Sequence, residues 1–344
     1  MKFAAFMKPV ICLYLFAGIL SLAQASYQND YFQGVNYLQT AEVSLNSFSS
    51  MQSLRAIKDN GANTVALIVF MQQNASGSSE IRHSSAVTDK QIVQAITDAH
   101  DIGLRVILKP QVLVTGSWAG EIRPTSQSGW QEWFESYQGL LQHYARMAQK
   151  YAVEMLVIGT ELRHAAMQPQ FRQLIIEVRK IFTGELSYAA HGIAGMKQFP
   201  YWELLDSVSL TLYPPLGKDW SIKHIHQVMA EKTRELEAFA AATDKPLWIA
   251  EIGLSSTQGS FRHPWLVTGD QQVVADTQRQ AQVLGMWLQH LRQPWVYGVM
   301  IWSWSSNIDQ DGVTDTGFDI QNKAAEKLVS CYWRNKCQGA PDTQ

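Results

Sequence analysis

The sequence predicts an α/β fold, a single (β/α)8 TIM barrel. Three observations predict it: eight apolar runs of strand length, longer amphipathic stretches between them, and no break in composition along 344 residues. Short apolar runs bounded by turn residues read as buried strands. Strict alternation of such strands with helices argues for a parallel sheet with crossover helices. Eight repeats in a chain of this length favour a closed ring over an open sheet. An open nucleotide-binding sheet would want a Gly-rich turn after its first strand. Here the segment GVNYLQTAE has one glycine, and it lies inside the strand.

The strands are expected at residues 32–37, 64–70, 105–110, 155–160, 186–191, 208–213, 247–250 and 297–302. The helices follow from period and punctuation. Residues 48–60 stop at Gly61, and residues 89–101 are capped by Thr88 and stop at Gly103. Residues 128–150 carry Trp130, Phe134, Tyr137, Leu141 and Tyr144 at helical spacing. Further helices are expected at 170–181, 222–242 and 271–291, the last closed by Pro294.

Hydrophobic residues make up 46% of the chain and charged residues 17%, a globular balance that excludes wholesale disorder. A net charge of −2 offers no basic face for nucleic acid. At the N-terminus, Lys2 and Lys8 precede an apolar run at 10–22, and Ala23-Gln24-Ala25 follows as a small-x-small site. This reads as a secretory signal peptide over residues 1–25, with a run too short for a comfortable membrane span. A retained N-terminal anchor is the alternative. Residues 26–344 then form one barrel domain with a short C-terminal tail, secreted or periplasmic and without a membrane span. Cys331 and Cys337 are the cysteines left after cleavage. Export favours a disulfide between them over two free thiols.

Active sites of such barrels are built at the C-terminal ends of the strands. The first strand ends in Asn36 and Tyr37, the third in Lys109 and then Gln111, the fourth in Glu161, the fifth in His191. The sixth ends in Tyr213, the seventh in Glu251, and the eighth in Trp302 and Trp304. Glu161 and Glu251 are the carboxylates that directly follow an apolar strand. A strand-end glutamate alone also serves to cap a helix or pair with a buried arginine. Two facing one cavity are the apparatus of glycoside hydrolysis, in which one donates a proton and the other attacks the anomeric carbon or activates water. Trp118, Tyr213, Trp302 and Trp304 offer flat apolar faces to a sugar, although Trp302 alone also reads as core. His191 reads either as a satisfied hydrogen bond or as a ligand contact, and Lys109 also reads as half of a buried pair.

Metal chemistry finds little support. His224 and His226 stand two apart on a helix and so face different ways. The segment DQDGVTD, with Asp309, Asp311 and Asp315, lacks the glycine at position six and the glutamate at position twelve of a helix–loop–helix calcium site and reads as a solvated turn. No G-x-S-x-G nucleophile elbow is present. Both reacting groups are side chains, so no cofactor is called for.

An acidic residue ending the fourth strand and another ending the seventh of a (β/α)8 barrel resemble glycoside hydrolase clan A. The segments FQGVNY, HDIGLRVILKPQV, VIGTEL, LTLYPPL, WIAEIGLSS and IWSWSS…DTGFDIQNKAAE look more narrowly like glycoside hydrolase family 113, across about the whole mature chain. The resemblance implies a retaining hydrolase of β-1,4-mannan or manno-oligosaccharides, and the expected signal peptide adds export. It implies Glu161 as acid/base, Glu251 as nucleophile and Tyr213 as the group that orients Glu251. It also implies Trp302 beneath the sugar at the cleavage point, and Asn36 and Lys109 on sugar hydroxyls. Trp118, His191 and Trp304 complete the expected substrate contacts. One departure stands out: the clan places Asn before the acid/base, against the sugar 2-hydroxyl, and this chain has Thr160. That hydroxyl is axial in mannose, where a different contact is expected. The rival readings are a hydrolase of another β-glycan or exopolysaccharide, and a barrel that binds carbohydrate without cleaving it.

Overall fold

A computed structural model describes residues 31–266, 273–312 and 314–337. The expected signal peptide lies outside the described residues, as does the expected start of the helix at 271. Eight parallel strands form the barrel: β1 (Phe32–Leu38), β2 (Thr64–Gln73), β3 (Arg105–Val114), β4 (Met155–Thr160), β5 (Glu185–His191), β6 (Val208–Leu212), β7 (Leu247–Ile252) and β8 (Val296–Ser305). Each pairs with the next, and β1 closes the ring by pairing with both β2 and β8. A two-residue strand, Arg82–His83, adds an antiparallel pairing to the far end of β2.

Among the described residues, eight helices surround the ring: α1 (Phe48–Asp59), α2 (Asp89–Asp101), α3 (Gln127–Lys150), α4 (Pro169–Arg179), α5 (Gly192–Gln198), α6 (Ile222–Thr243), α7 (Thr277–His290) and α8 (Ala324–Trp333). Side-chain caps start several of them. Thr88 forms a reciprocal capping box with Gln91, and Ser47, Ser126, Ser221 and Asp276 accept from the first turns of α1, α3, α6 and α7. Such caps satisfy otherwise orphaned N–H groups. The short α5 and the C-terminal α8 had no counterpart among the expected helices. Cys331 of α8 and Cys337 are joined by a disulfide that ties the tail to this helix.

Two apolar cores result. Phe32, Ala66, Ile107, Met155, Val157, Ala189, Trp248, Ala250 and Met300 fill the barrel interior, while a larger set packs the strands against the helices. Because strand side chains alternate between faces, interior positions recur every second residue. From Ile107 they run to Lys109 and Gln111, from Ala189 to His191, from Ser209 to Thr211 and Tyr213, and from Met300 to Trp302.

Three strands break this period by one residue. On β7, Leu210 and Thr211 of β6 face Ile249 and Glu251, so Ala250 is extra. On β4, residues 157 and 160 face residues 187 and 189 of β5. On β8, Asn36 and Tyr37 of β1 face Trp302 and Trp304, so Ser303 is extra. Each is a bulge that redirects the side chains beyond it. The first turns Glu251 toward the barrel mouth, although Ala250 already faces inward. The third turns Trp304 away from it.

Candidate active site

Glu251 is 7% exposed and held by three donors. The Lys109 Nζ lies 2.5 Å and the Gln111 Nε2 2.8 Å from its Oε1, and the Tyr213 hydroxyl donates to Oε2 at 3.1 Å. Lys109 is fully buried and also donates to Asn36 Oδ1 at 3.0 Å. Asn36 in turn donates to the carbonyls of Ala250 and Ile301. The chain Asn36–Lys109–Glu251 thus spans β1, β3 and β7 beneath the rim. The expectation that Asn36 and Lys109 hold sugar hydroxyls gives way here. Both are fully buried, and their polar atoms are spent on each other, on backbone and on Glu251.

Burial pushes the Glu251 carboxyl above its ordinary value, and the neighbouring Glu161 adds to this. The Lys109 charge, its hydrogen bond and the Tyr213 hydroxyl pull the other way. Burial likewise pushes the Lys109 ammonium down, against the opposing charge of Glu251. In each case the partner's charge is the main influence opposing burial. Burial raises the Tyr213 hydroxyl well above its ordinary value, so it stays a donor.

Glu161 stands just past the β4 bulge with a left-handed backbone, φ 56°. Its N–H is anchored on the Ala189 carbonyl at 2.9 Å, and the carbonyl of Ile158 in the bulge accepts from Tyr137 of α3 at 2.8 Å. The Thr211 hydroxyl donates to Glu161 Oε1 at 2.5 Å, and His191 Nδ1 lies 3.0 Å from the same oxygen. Thr211 is also the cross-strand partner of Glu251, so one residue stands between the two carboxylates. Neither Gln111 nor Thr211 received a role from the sequence. The signal was the period-two run of inward positions that places them beside Lys109 and Tyr213. Thr160 Oγ1 is buried without a hydrogen-bond partner among the described residues.

The aromatic residues divide. Trp302 is partly exposed, with the Lys109 Nζ 5.6 Å from its ring centre. Trp118 is partly exposed beside His191, at 4.9 Å between rings, and Arg163 lies over it at 5.7 Å. Phe318 meets the Tyr213 ring edge-on at 6.4 Å. Trp304, expected at the rim, is instead core: it is 1% exposed and its indole N–H donates to Ser53 Oγ at 2.8 Å. The Ser303 bulge is the physical reason. Trp302→Ala is therefore expected to lower kcat/KM with the fold retained, losing a stacking face of order 1 kcal/mol or more beyond area. Trp304→Ala should cost about 3–5 kcal/mol of stability. Denaturant melts and kinetics on both variants check this, and the opposite pattern would reverse the two assignments.

Among the described residues no three His, Cys, Asp or Glu side chains gather as a metal site. In the DQDGVTD loop, Asp315 pairs with buried Lys323 at 2.6 Å and Asp311 accepts from Thr314.

The barrel, with two glutamates on strands four and seven sharing one mouth, can now be set against known proteins. The sequence pattern of Glycoside Hydrolase Family 113 matches residues 38–323. The chain belongs to that family. It is a glycoside hydrolase, and a carbohydrate is its substrate. Among solved structures, a GH113 β-1,4-mannanase is 26% identical with a TM-score of 0.79, over 89% of this chain and 99% of that one. A GH113 β-mannanase from Alicyclobacillus acidocaldarius shares the fold at 24% identity and a TM-score of 0.80, over 90% and 99%. A Lactobacillus rhamnosus β-glucuronidase shares the fold more distantly, at 16% identity and a TM-score of 0.61. No curated protein matches this glycoside hydrolase by sequence.

Proposed function

We propose that this family 113 hydrolase cleaves β-1,4-linked mannan or manno-oligosaccharides by double displacement, with Glu251 as nucleophile and Glu161 as acid/base. The observation that carries the reading is the unequal setting of the two carboxylates. Glu251 accepts from a cation and two neutral donors, which favours an ionised nucleophile. Glu161 is more open, its side chain 22% exposed, and its Oε2 accepts from no donor among the described residues. That leaves Oε2 for the leaving oxygen. In the first step Glu161 gives its proton to the glycosidic oxygen while Glu251 attacks the anomeric carbon. The bond to the leaving sugar breaks and a glycosyl ester forms. In the second step Glu161 takes a proton from water, the water attacks the same carbon, and Glu251 is released.

The mannan assignment is supported by the β-1,4-mannanase named among the similar structures. Export is supported by residues 1–25 and by the Cys331–Cys337 disulfide; a mature amino terminus at Ser26 is the expected result of N-terminal sequencing. Reducing-end release from mannan, glucomannan, xylan, cellulose and β-glucan tests the substrate, with mannan expected to lead. NMR of the first-formed product should show the anomeric configuration retained. Inverted product, or turnover confined to another glycan, would overturn the corresponding half of the proposal.

A further inference from the structure

We infer that Gln111 is a catalytic residue that binds the hydroxyl on C2 of the sugar transferred to Glu251, and this rests on the roles proposed above. Gln111 is the next inward position of β3 after Lys109, and both donate to Glu251 Oε1, at 2.8 and 2.5 Å. Their burial differs: Lys109 is fully buried, whereas Gln111 is partly exposed. An ionised carboxylate only accepts, so the Gln111 amide must turn its nitrogen to Glu251 and its oxygen away. That oxygen accepts from no donor among the described residues, and it is not one of the enclosed atoms left without a partner. It therefore opens on the barrel mouth, and one amide N–H is unspent beside it. The other two donors to Glu251 have less to offer. The Lys109 ammonium has no acceptor, and Tyr213 spends its one proton on Oε2. Thr160, next to Glu161, is no rival, because its hydroxyl is enclosed.

Attack by Glu251 brings C1 of the sugar to the carboxylate, and with it the two ring atoms bonded to C1, namely O5 and C2. The ring oxygen carries no hydrogen and cannot satisfy an amide oxygen. The hydroxyl on C2 can. As C1 gains positive charge in the transition state, that hydroxyl becomes a stronger donor, and its bond to Gln111 tightens. An interaction stronger in the transition state than in the bound substrate appears in kcat as well as in kcat/KM. The N–H on Glu251 Oε1 meanwhile holds the amide plane, so one side chain aligns the nucleophile with the sugar it attacks.

The test crosses two changes on the full chain. One is Gln111→Met, which keeps the length of the side chain without its polar atoms. The other replaces a dinitrophenyl glycoside of the sugar that the wild type hydrolyses by its 2-deoxy analogue. On the hydroxylated glycoside, Gln111→Met is expected to lose about 10²- to 10³-fold in kcat/KM, with kcat falling as well. On the 2-deoxy glycoside the same variant should lose only about tenfold, the part that belongs to the bond with Glu251. Variant and wild type are compared on the same glycoside, so the intrinsic reactivity of the deoxy sugar cancels, as in any double-mutant cycle. Gln111→Ala should repeat the pattern, and thermal melts of both variants should stay near wild type. Equal losses on the two glycosides in a folded variant would show Gln111 acting on Glu251 only, and would overturn the inference. So would a loss confined to KM. A wild type inactive on every glycan of the panel would instead remove the proposed function, and this inference with it.

Discussion

Glu251→Ala is expected to abolish turnover on every glycoside, by roughly five orders of magnitude or more, the scale at which covalent nucleophiles count in other hydrolases. Glu161→Ala should fail differently. Glycosides whose leaving groups need no proton should still release their aglycone in a first burst, because attack by Glu251 is intact. The glycosyl ester should then persist, since no base activates water. Added azide needs no deprotonation and should restore turnover. Ordinary substrates should lose about 10²- to 10⁴-fold. Burst kinetics and azide rescue read the two roles separately. Equal loss on all substrates with no azide effect would refute them.

Lys109→Met should come next in size. The ammonium is fully buried and 2.5 Å from Glu251. Breaking a buried pair by removing one partner costs roughly 3–5 kcal/mol, unless the remaining ion takes up a proton. Glu251 has that escape, because burial already pushes its carboxyl upward and Lys109 is the main opposing influence. The variant should therefore fold with a neutral, non-nucleophilic Glu251. At neutral pH, activity should fall by about two to four orders of magnitude, the same free energy expressed as a rate ratio. The direction of the pH effect follows. The nucleophile must be ionised, so the acid limb of kcat/KM lies above that of an ordinary glutamate. Removing the cation favours the protonated form and moves the limb to higher pH. Tyr213→Phe removes a weaker donor and should move it the same way by less. A limb that stays in place, or moves down, would show that Lys109 does not hold the charge of Glu251.

Much of this architecture is legible in the sequence. Apolar runs mark each barrel strand to within a few residues, because strands buried on both faces must be apolar throughout. A glutamate straight after such a run is conspicuous for the same reason. What could not be read is which way a side chain faces. LWIAEI carries no mark of the extra residue at Ala250, and WSWS suggests that Trp302 and Trp304 share a face. Bulges are set by pairing between strands far apart in sequence, so single-strand periodicity cannot show them. By sequence Asn36 and Lys109 are rim residues, because position along a strand is visible in sequence while depth in the barrel is not. Gln111 and Thr211 were within reach: counting inward positions onward from Ile107 and Ser209 leads to both.

The route from Asn36 to Glu251 also bears on when the hydrolase can begin to act. Asn36 belongs to the first strand, yet one of its acceptors, the Ile301 carbonyl, belongs to the last. Lys109 and Gln111 lie in the first half of the chain, while Glu251 and Tyr213 lie in the second. A growing polypeptide that has emerged as far as β7 already carries both glutamates, but the ring that seats Asn36 is still open. Ring closure by β8 is then what completes the seat of Asn36, and through Lys109 the setting of Glu251.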